Sequence, residues 1–193
     1  MDKHTILLVD DEKNILNSIS RLLQDDSREI ITAENSREAL EKLKSIGGVD
    51  LVISDNRLPD FSGIDFLIKV RQLYPNTIRV LITGYPDVES VIHAINKGQV
   101  YRFITKPWDN EEIKVIVKQA LDFYDVLKDN RSLLKIARQQ ADLLKSVKQK
   151  YPDISQAEFD KSSLYIIDEK VISANLSGFM QKYYSQDNTE AKD

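Results

Sequence analysis

The first half of the chain alternates between short apolar runs and longer segments whose apolar residues recur at helical spacing. Five runs rich in β-branched residues predict strands, at residues 5–9, 29–32, 51–54, 79–83 and 102–105. Between them, steps of three and four predict four helices, with apolar faces at Ile15, Ile19, Leu22 and Leu23; at Ala39, Leu40 and Leu43; at Phe66, Leu67, Val70 and Leu73; and at Val88, Val91, Ile92 and Ile95. Apolar strands that alternate with helices indicate a parallel sheet covered on both faces. We therefore predict an α/β, doubly wound, flavodoxin-like domain with five strands and five helices.

Polar side chains stand where four of these strands end. Asp10 and Asp11 follow the first strand, Asp55 the third, Thr83 ends the fourth, and Lys106 follows the fifth. In open α/β sheets ligands bind beyond the carboxyl ends of the strands. These side chains are thus expected to meet at one edge of the sheet.

Three carboxylates at one edge repel each other unless a cation holds them. Oxygen ligands without His or Cys favour a hard ion, and Mg²⁺ fits best. Lys106 could pair with Asp55 or with phosphate oxygens, and the Thr83 hydroxyl could donate to a phosphoryl oxygen. Asp55 itself is a candidate nucleophile, because carboxylates form aspartyl-phosphates.

Each of these residues also has an ordinary structural interpretation. Asp10 and Asp11 could cap the first helix, and Asp55 could be a turn residue. Thr83 could be a strand-end threonine and Lys106 a solvated surface lysine. Taken singly, each ordinary interpretation is the more common one. Taken together, four strand ends with these side chains are hard to assign to chance.

The strand ends lie within four motifs, ILLVDDE, DNRLPDFSG, LITGY and RFITKPW. Through them residues 1–125 resemble the receiver domain of two-component response regulators. The resemblance implies a phosphoacceptor at Asp55, and Mg²⁺ held by Asp11, Asp55 and the backbone carbonyl of Arg57, with Asp10 acting through water. It implies switch or phosphoryl-binding roles for Thr83, Phe103 and Lys106, and loop-shaping roles for Pro59, Gly63, Gly84 and Pro107. The implied phosphodonor is a sensor histidine kinase or a phosphotransfer protein.

The second half begins with a long helix. Residues 109–151 contain neither Pro nor Gly, and apolar positions alternate by three and four, as in a coiled coil. We predict that this fifth helix forms a homodimer along a seam that includes Ile116, Phe123, Leu127, Asn130, Leu134 and Leu144. A second apolar stripe, at Leu133, Ile136, Leu143 and Val147, favours a bundle or a docked tail as the alternative. Residues 152–184 are predicted to form a small hairpin-plus-helix tail, and residues 185–193 to be disordered.

Composition removes several function classes. The net charge of −4 and the lack of a basic recognition helix argue against a nucleic-acid partner. The chain has no Cys, hence no disulfide, and no apolar run approaches the length of a membrane span. We expect a cytoplasmic, non-enzymatic signalling protein that acts on an unknown downstream protein through phosphorylation-dependent contacts.

Two alternatives remain open. The segment INKGQVYRFITKPW is similar to receivers that precede cyclic-di-GMP phosphodiesterase or sigma-54-type output domains. The chain could therefore be part of a longer regulator whose output is cyclic-di-GMP hydrolysis or transcription control. A haloacid-dehalogenase-like phosphatase would also use an aspartyl nucleophile with Mg²⁺, but VDDEKN lacks the DxDx[TV] pattern which that family requires.

Overall fold

The computed structural model describes residues 3–84 and 100–150. The strands are β1 (His4–Val9), β2 (Arg28–Ala33), β3 (Leu51–Asp55), β4 (Ile78–Thr83) and β5 (Arg102–Thr105). The helices are α1 (Lys13–Leu23), α2 (Ser36–Ile46), α3 (Gly63–Leu73) and the long C-terminal helix α4 (Asn110–Lys150). The helix predicted around Val88–Ile95, the tail at 152–184 and the segment 185–193 lie outside the described residues.

The five strands form one parallel sheet in the order β2-β1-β3-β4-β5. All five predicted strands are present, within one residue of the predicted ends, and the predicted flavodoxin-like architecture is confirmed. β3 and β4 are buried along their whole length, as expected for inner strands covered on both sides. The sheet lies in the first of two compact units, Met1–Asn130 and Arg131–Asp193.

Alternate residues along the strands point to opposite faces of the sheet and belong to two separate apolar cores. On one face, Ile6 and Leu8 of β1 pack with buried residues of α1 and α4. On the other face, Leu7 and Val9 pack with buried residues of α2 and α3. The period of two along the strands therefore places two of the four described helices on each face of the sheet.

The helices follow their predicted faces with local differences. In α1 the fully buried residues are Leu16, Ile19 and Leu23, whereas Ile15 and Leu22 are only partly buried. In α2, the Asn35 side chain accepts the N–H of Glu38 and so caps the helix N-terminus. Leu73 was predicted to be on the buried face of α3 but is 63% exposed. It is the last residue of the helix, and the following Tyr74 packs against the core in its place.

The first part of α4 is an element of the receiver-like core. Ile116 is only 8% exposed and packs with the sheet-facing residues of its own chain. The assignment of Ile116 to a dimer seam is therefore wrong, because its side chain is already buried within the domain. Phe123 and Leu127 are partly buried against the same core, so they too have a partner inside the first unit. Beyond Asn130, the side chains of Leu133, Ile136 and Leu143 are exposed.

Gly63 begins α3 where the helix meets the end of β3. A Cβ atom at this position would lie 1.9 Å from the backbone oxygen of Asp55, far inside any allowed contact. The Gly63 N–H also donates to the carbonyl of Asn56 at 2.8 Å. Only glycine allows the helix to start this close to the strand end.

We predict that Gly63→Ala lowers the free energy of unfolding by about 3 kcal/mol, because backbone atoms must move to admit the methyl group. Urea unfolding of the purified domain measures this. Gly84→Ala is the control, since Gly84 is exposed and, among the described residues, its added Cβ would meet only the Lys106 Cβ, at 3.9 Å. The control is expected to change stability by less than about 0.5 kcal/mol. Equal effects of the two changes would contradict this account of Gly63.

Candidate functional site

Four strand ends deliver polar groups to one edge of the sheet. Asp10 follows β1, Asp55 ends β3, Thr83 ends β4 and Lys106 follows β5 by one residue. Asp10, Asp55 and Thr83 are 3%, 5% and 4% exposed. The parallel register places Asp55 beside Ile82 and Thr83 beside Thr105, which aligns these ends. The site is thus positioned by sheet topology.

The Lys106 ammonium bridges the two buried carboxylates. Its Nζ lies 2.6 Å from Asp55 Oδ1 and 3.0 Å from Asp10 Oδ2. The remaining oxygens accept backbone N–H groups: Asp55 Oδ2 from Arg57 at 2.6 Å, and Asp10 Oδ1 from Glu12 at 2.9 Å. Asp10 does not cap α1, because the N-cap residue is Glu12 and the helix has no side-chain cap hydrogen bond.

The pKa values show how burial and pairing compete here. Burial raises the pKa of Asp10, and hydrogen bonds from Glu12 and Lys106 oppose that rise without cancelling it. Burial would lower the pKa of Lys106, but its hydrogen bonds to Asp55 and Asp10 outweigh burial and raise it. One ammonium beside two buried carboxylates, when all are charged, leaves a net charge of −1. The site therefore favours an additional cation.

The donor set fits Mg²⁺ only in part as it stands. Carboxylates of Asp10 and Asp55 and the backbone carbonyl of Arg57 are hard oxygen ligands of the kind this ion prefers. Asp11, predicted as a ligand, is exposed. Within residues 3–84 and 100–150, no three Asp, Glu, His or Cys side chains are grouped closely enough to hold a metal. A bound ion would therefore require the exposed Asp11 side chain or the Arg57 carbonyl to complete the ligand set.

The other predicted residues surround this centre. The backbone oxygen of Thr83 accepts the Lys106 N–H at 2.8 Å, so β4 and the lysine are held together directly. Phe103, the predicted switch aromatic, is 40% exposed on β5. A Cβ added at Gly84 would lie 3.9 Å from the Lys106 Cβ, and Pro107 follows a cis peptide bond. Pro59 is exposed in the loop between β3 and α3.

Sequence reasoning missed two residues of that loop. Within residues 3–84 and 100–150, the side-chain oxygen Oδ1 of Asn56 is buried and has no hydrogen-bond partner. Asp60 makes hydrogen bonds to the first residues of α2, on a different element. In the sequence, Asp60 is recognisable only as an acidic residue between the turn-forming residues Pro59 and Gly63. It could not reveal the contact with α2, because the two segments are 24 residues apart.

Comparison with known proteins identifies the family. The model for the response regulator receiver domain matches residues 6–118. The chain belongs to this family, and the resemblance seen in its sequence motifs is confirmed.

Individual relatives agree with this assignment. The hydrogenase transcriptional regulatory protein HoxA of Bradyrhizobium diazoefficiens is 36% identical over 66% of this chain and 26% of its own length. The signal receiver domain of an HD domain-containing protein from Pseudomonas fluorescens Pf-5 has a TM-score of 0.63 at 37% identity, covering 67% of this chain and 94% of that one. The beryllofluoride-activated NtrC4 receiver domain dimer has a TM-score of 0.58 at 32% identity, covering 62% and 98%.

The chain spans about a quarter of the length of the curated relatives it matches. HoxA is named as a transcriptional regulatory protein, so these comparisons do not support the expectation that nucleic acid is not a partner. None of the helices in the described ranges is long and apolar enough to cross a membrane.

We predict that Lys106→Met lowers the free energy of unfolding by about 3 kcal/mol at pH 7, because it leaves two buried carboxylates without their cation. The raised pKa of Lys106 determines how this stabilisation changes with pH. The stabilisation is complete below its ordinary value of 10.5 and is lost as the pH rises through the folded-state pKa, above 10.5. Urea unfolding from pH 7 to 11 measures both effects.

Lys118→Met is the matched control for this prediction. Its ammonium pairs with Asp122 at 3.1 Å on the exposed surface of α4. Its loss should change stability by less than about 0.5 kcal/mol. A loss for Lys106→Met no greater than that of the control would mean that the bridging lysine does not stabilise the fold.

Proposed function

We propose that this chain is a response-regulator signalling module that accepts a phosphoryl group on Asp55 from a sensor histidine kinase or a phosphotransfer protein. The observation that carries the proposal is the geometry at Asp55. Its buried carboxylate is held by the Lys106 ammonium on one oxygen and by the Arg57 N–H on the other. Family membership at residues 6–118 supports it.

In the proposed reaction an Asp55 carboxylate oxygen attacks the phosphorus of a phosphohistidine. The new O–P bond forms as the N–P bond breaks, and its electron pair returns to the imidazole nitrogen of the donor. Lys106 stabilises the negative charge on the phosphoryl oxygens, and the Thr83 hydroxyl donates to one of them after transfer. Mg²⁺, held by Asp11, Asp55 and the Arg57 carbonyl with Asp10 acting through water, would neutralise the phosphoryl charge during transfer. The exposed Phe103 would turn inward as Thr83 moves, which alters the surface around β5.

The proposed output is made through protein contacts, with α4 forming a homodimer. The predicted seam positions Ile116, Phe123 and Leu127 pack against the core of their own chain. The seam would therefore use the part of α4 from Asn130 onward, including Leu134 and Leu144. The exposed side chains of Leu133, Ile136 and Leu143 would widen this contact. A solved relative, the NtrC4 receiver domain, is described as a dimer, which supports self-association.

A second candidate is the receiver part of a longer regulator. The chain spans about a quarter of HoxA, which is named as a transcriptional regulator, and a solved relative comes from an HD domain-containing protein. These relatives favour transcription control or an HD-domain output for the whole protein. Intact mass of the protein isolated from its native source distinguishes the two candidates.

We expect acetyl phosphate with Mg²⁺ to label the wild-type chain and EDTA to prevent labelling, with intact mass spectrometry as the readout. Asp55→Asn should abolish labelling, because an amide oxygen is a poor nucleophile at phosphorus. Asp65→Asn, a change of an exposed aspartate in the first turn of α3, is the control and should be labelled normally. Equal labelling of Asp55→Asn and wild type would overturn the assignment.

We expect Leu134→Asp with Leu144→Asp to raise the dimer dissociation constant at least about tenfold, which is 1.4 kcal/mol. An aspartate at a seam position would be buried, or placed near the same charge of the partner chain, when the dimer forms. Both effects weaken association. Gln139→Asp with Gln149→Asp is the control, because it adds the same charge at the same ten-residue spacing outside the seam. Sedimentation velocity at micromolar concentration measures both. A monomeric wild type, with or without phosphorylation, would refute the dimer.

A further inference from the structure

The loop from Asn56 to Ser62 carries the backbone groups that face Asp55. Arg57 and Ser62 pair as an antiparallel bridge across its base. Next to that bridge, the Gly63 N–H donates to the Asn56 carbonyl at 2.8 Å. These contacts close the base of the loop. Beyond the base, Leu58 packs against the core and the Lys69 ammonium lies 3.9 Å from the centre of the Phe61 ring.

The Asp60 carboxylate holds the tip against α2. Its Oδ1 accepts from the Ser36 N–H at 3.0 Å and from the Ser36 hydroxyl at 2.9 Å. Its Oδ2 accepts from the Arg37 N–H at 2.9 Å. The N–H of Phe61, in the same loop, also donates to Oδ1 at 3.0 Å. One side chain thus joins the β3–α3 loop to the first turn of another helix.

Two different side chains accept hydrogen bonds from the free N–H groups in the first turn of α2. A helix leaves its first N–H groups without internal partners. Asn35 takes the N–H of Glu38 and is local to α2, whereas Asp60 takes those of Ser36 and Arg37 from the loop. A carboxylate at a helix N-terminus also interacts favourably with the helix dipole. The two caps therefore serve the same helix end, but only one is connected to the site.

The charge state of Asp60 agrees with this arrangement. Burial alone would raise its pKa, but the hydrogen bonds from Ser36, Arg37 and Phe61 together outweigh burial and lower it. The side chain is consequently an anion at neutral pH, and it accepts all its hydrogen bonds as a carboxylate.

We infer that Asp60 is a positioning residue for the phosphoacceptor site, which fixes the loop so that the backbone of Arg57 stays directed at Asp55. The inference rests on the proposed function, since it gives Asp60 a role in phosphorylation and metal binding at that site. The Arg57 N–H lies 2.6 Å from Asp55 Oδ2, and its carbonyl is the proposed metal ligand. Without Asp60 the loop would keep its base contacts and the packing of Leu58 on the core but lose its hydrogen bonds to α2. The Arg57 backbone groups would then be held less firmly in orientation.

The test compares Asp60→Ala with Asn35→Ala. Both remove a cap from the first turn of α2, but only the first also releases the loop. Mg²⁺ affinity is measured from the fluorescence of Trp108, the single tryptophan of the chain, which lies two residues after Lys106. The rate of labelling by acetyl phosphate is measured at saturating Mg²⁺.

We expect Asp60→Ala to weaken Mg²⁺ binding about tenfold and to slow labelling about tenfold. Losing a residue that holds a metal ligand in place typically weakens metal binding by about ten- to a hundredfold, and we expect the smaller value. Asn35→Ala should stay within about twofold of wild type in both measurements. Asp60→Asn keeps one oxygen acceptor for Ser36, so it should recover part of both losses. It also tests the inference if Asp60→Ala does not fold.

Two results would overturn the inference. Equal effects of Asp60→Ala and Asn35→Ala would show that Asp60 only caps α2. Unchanged Mg²⁺ affinity and labelling in Asp60→Ala would show that the loop does not need it. The proposed function itself would fail if acetyl phosphate labelled the wild type no more than Asp55→Asn, and this is a separate result. The Mg²⁺ titration still decides the role of Asp60 in that case.

Discussion

The ammonium of Lys106, placed between the carboxylates of Asp55 and Asp10, is the interaction on which the site depends. Two buried carboxylates at the edge of a sheet are unfavourable unless a positive charge is close to both. Lys106 supplies that charge from the end of β5, which is separated from β3 by β4, and its Nζ lies 2.6 Å from Asp55 and 3.0 Å from Asp10. Because one ammonium does not balance two carboxylates, the site keeps a net negative charge and favours an additional cation. In the function proposed above, the same charge balance would contribute to both the stability of the fold and the transfer of the phosphoryl group.

A second constraint is the close contact between the end of β3 and the start of α3. The absence of a Cβ at Gly63 lets the helix begin against the backbone of Asp55. The intervening loop then folds back on itself, and Asp60 reaches α2. Local backbone geometry at a single glycine thus determines where the loop, and with it the Arg57 backbone, can lie.

The long helix α4 illustrates how one periodicity can serve two partners. Steps of three and four run without interruption along it, and the sequence alone predicts one continuous seam. As far as Leu127 those positions face the sheet of the same chain. A heptad pattern indicates that a helix has an apolar face, but it does not indicate which surface packs against that face. The correction at Ile116 follows from this ambiguity.

The sequence by itself determined the strands, the parallel sheet and the residues at its carboxyl edge. Strong apolar runs bounded by polar residues give an unambiguous period, and parallel topology brings their ends together. Asp10, Asp55, Thr83 and Lys106 could therefore be assigned to one site from sequence alone. Only the tertiary structure decided that Lys106 bridges both acids, that Asp60 joins the loop to α2, that Leu73 is exposed and that Ile116 is part of the core. Each of these depends on a contact between segments distant in the chain, or on where a helix ends relative to the sheet, and neither leaves a periodic signal in the sequence.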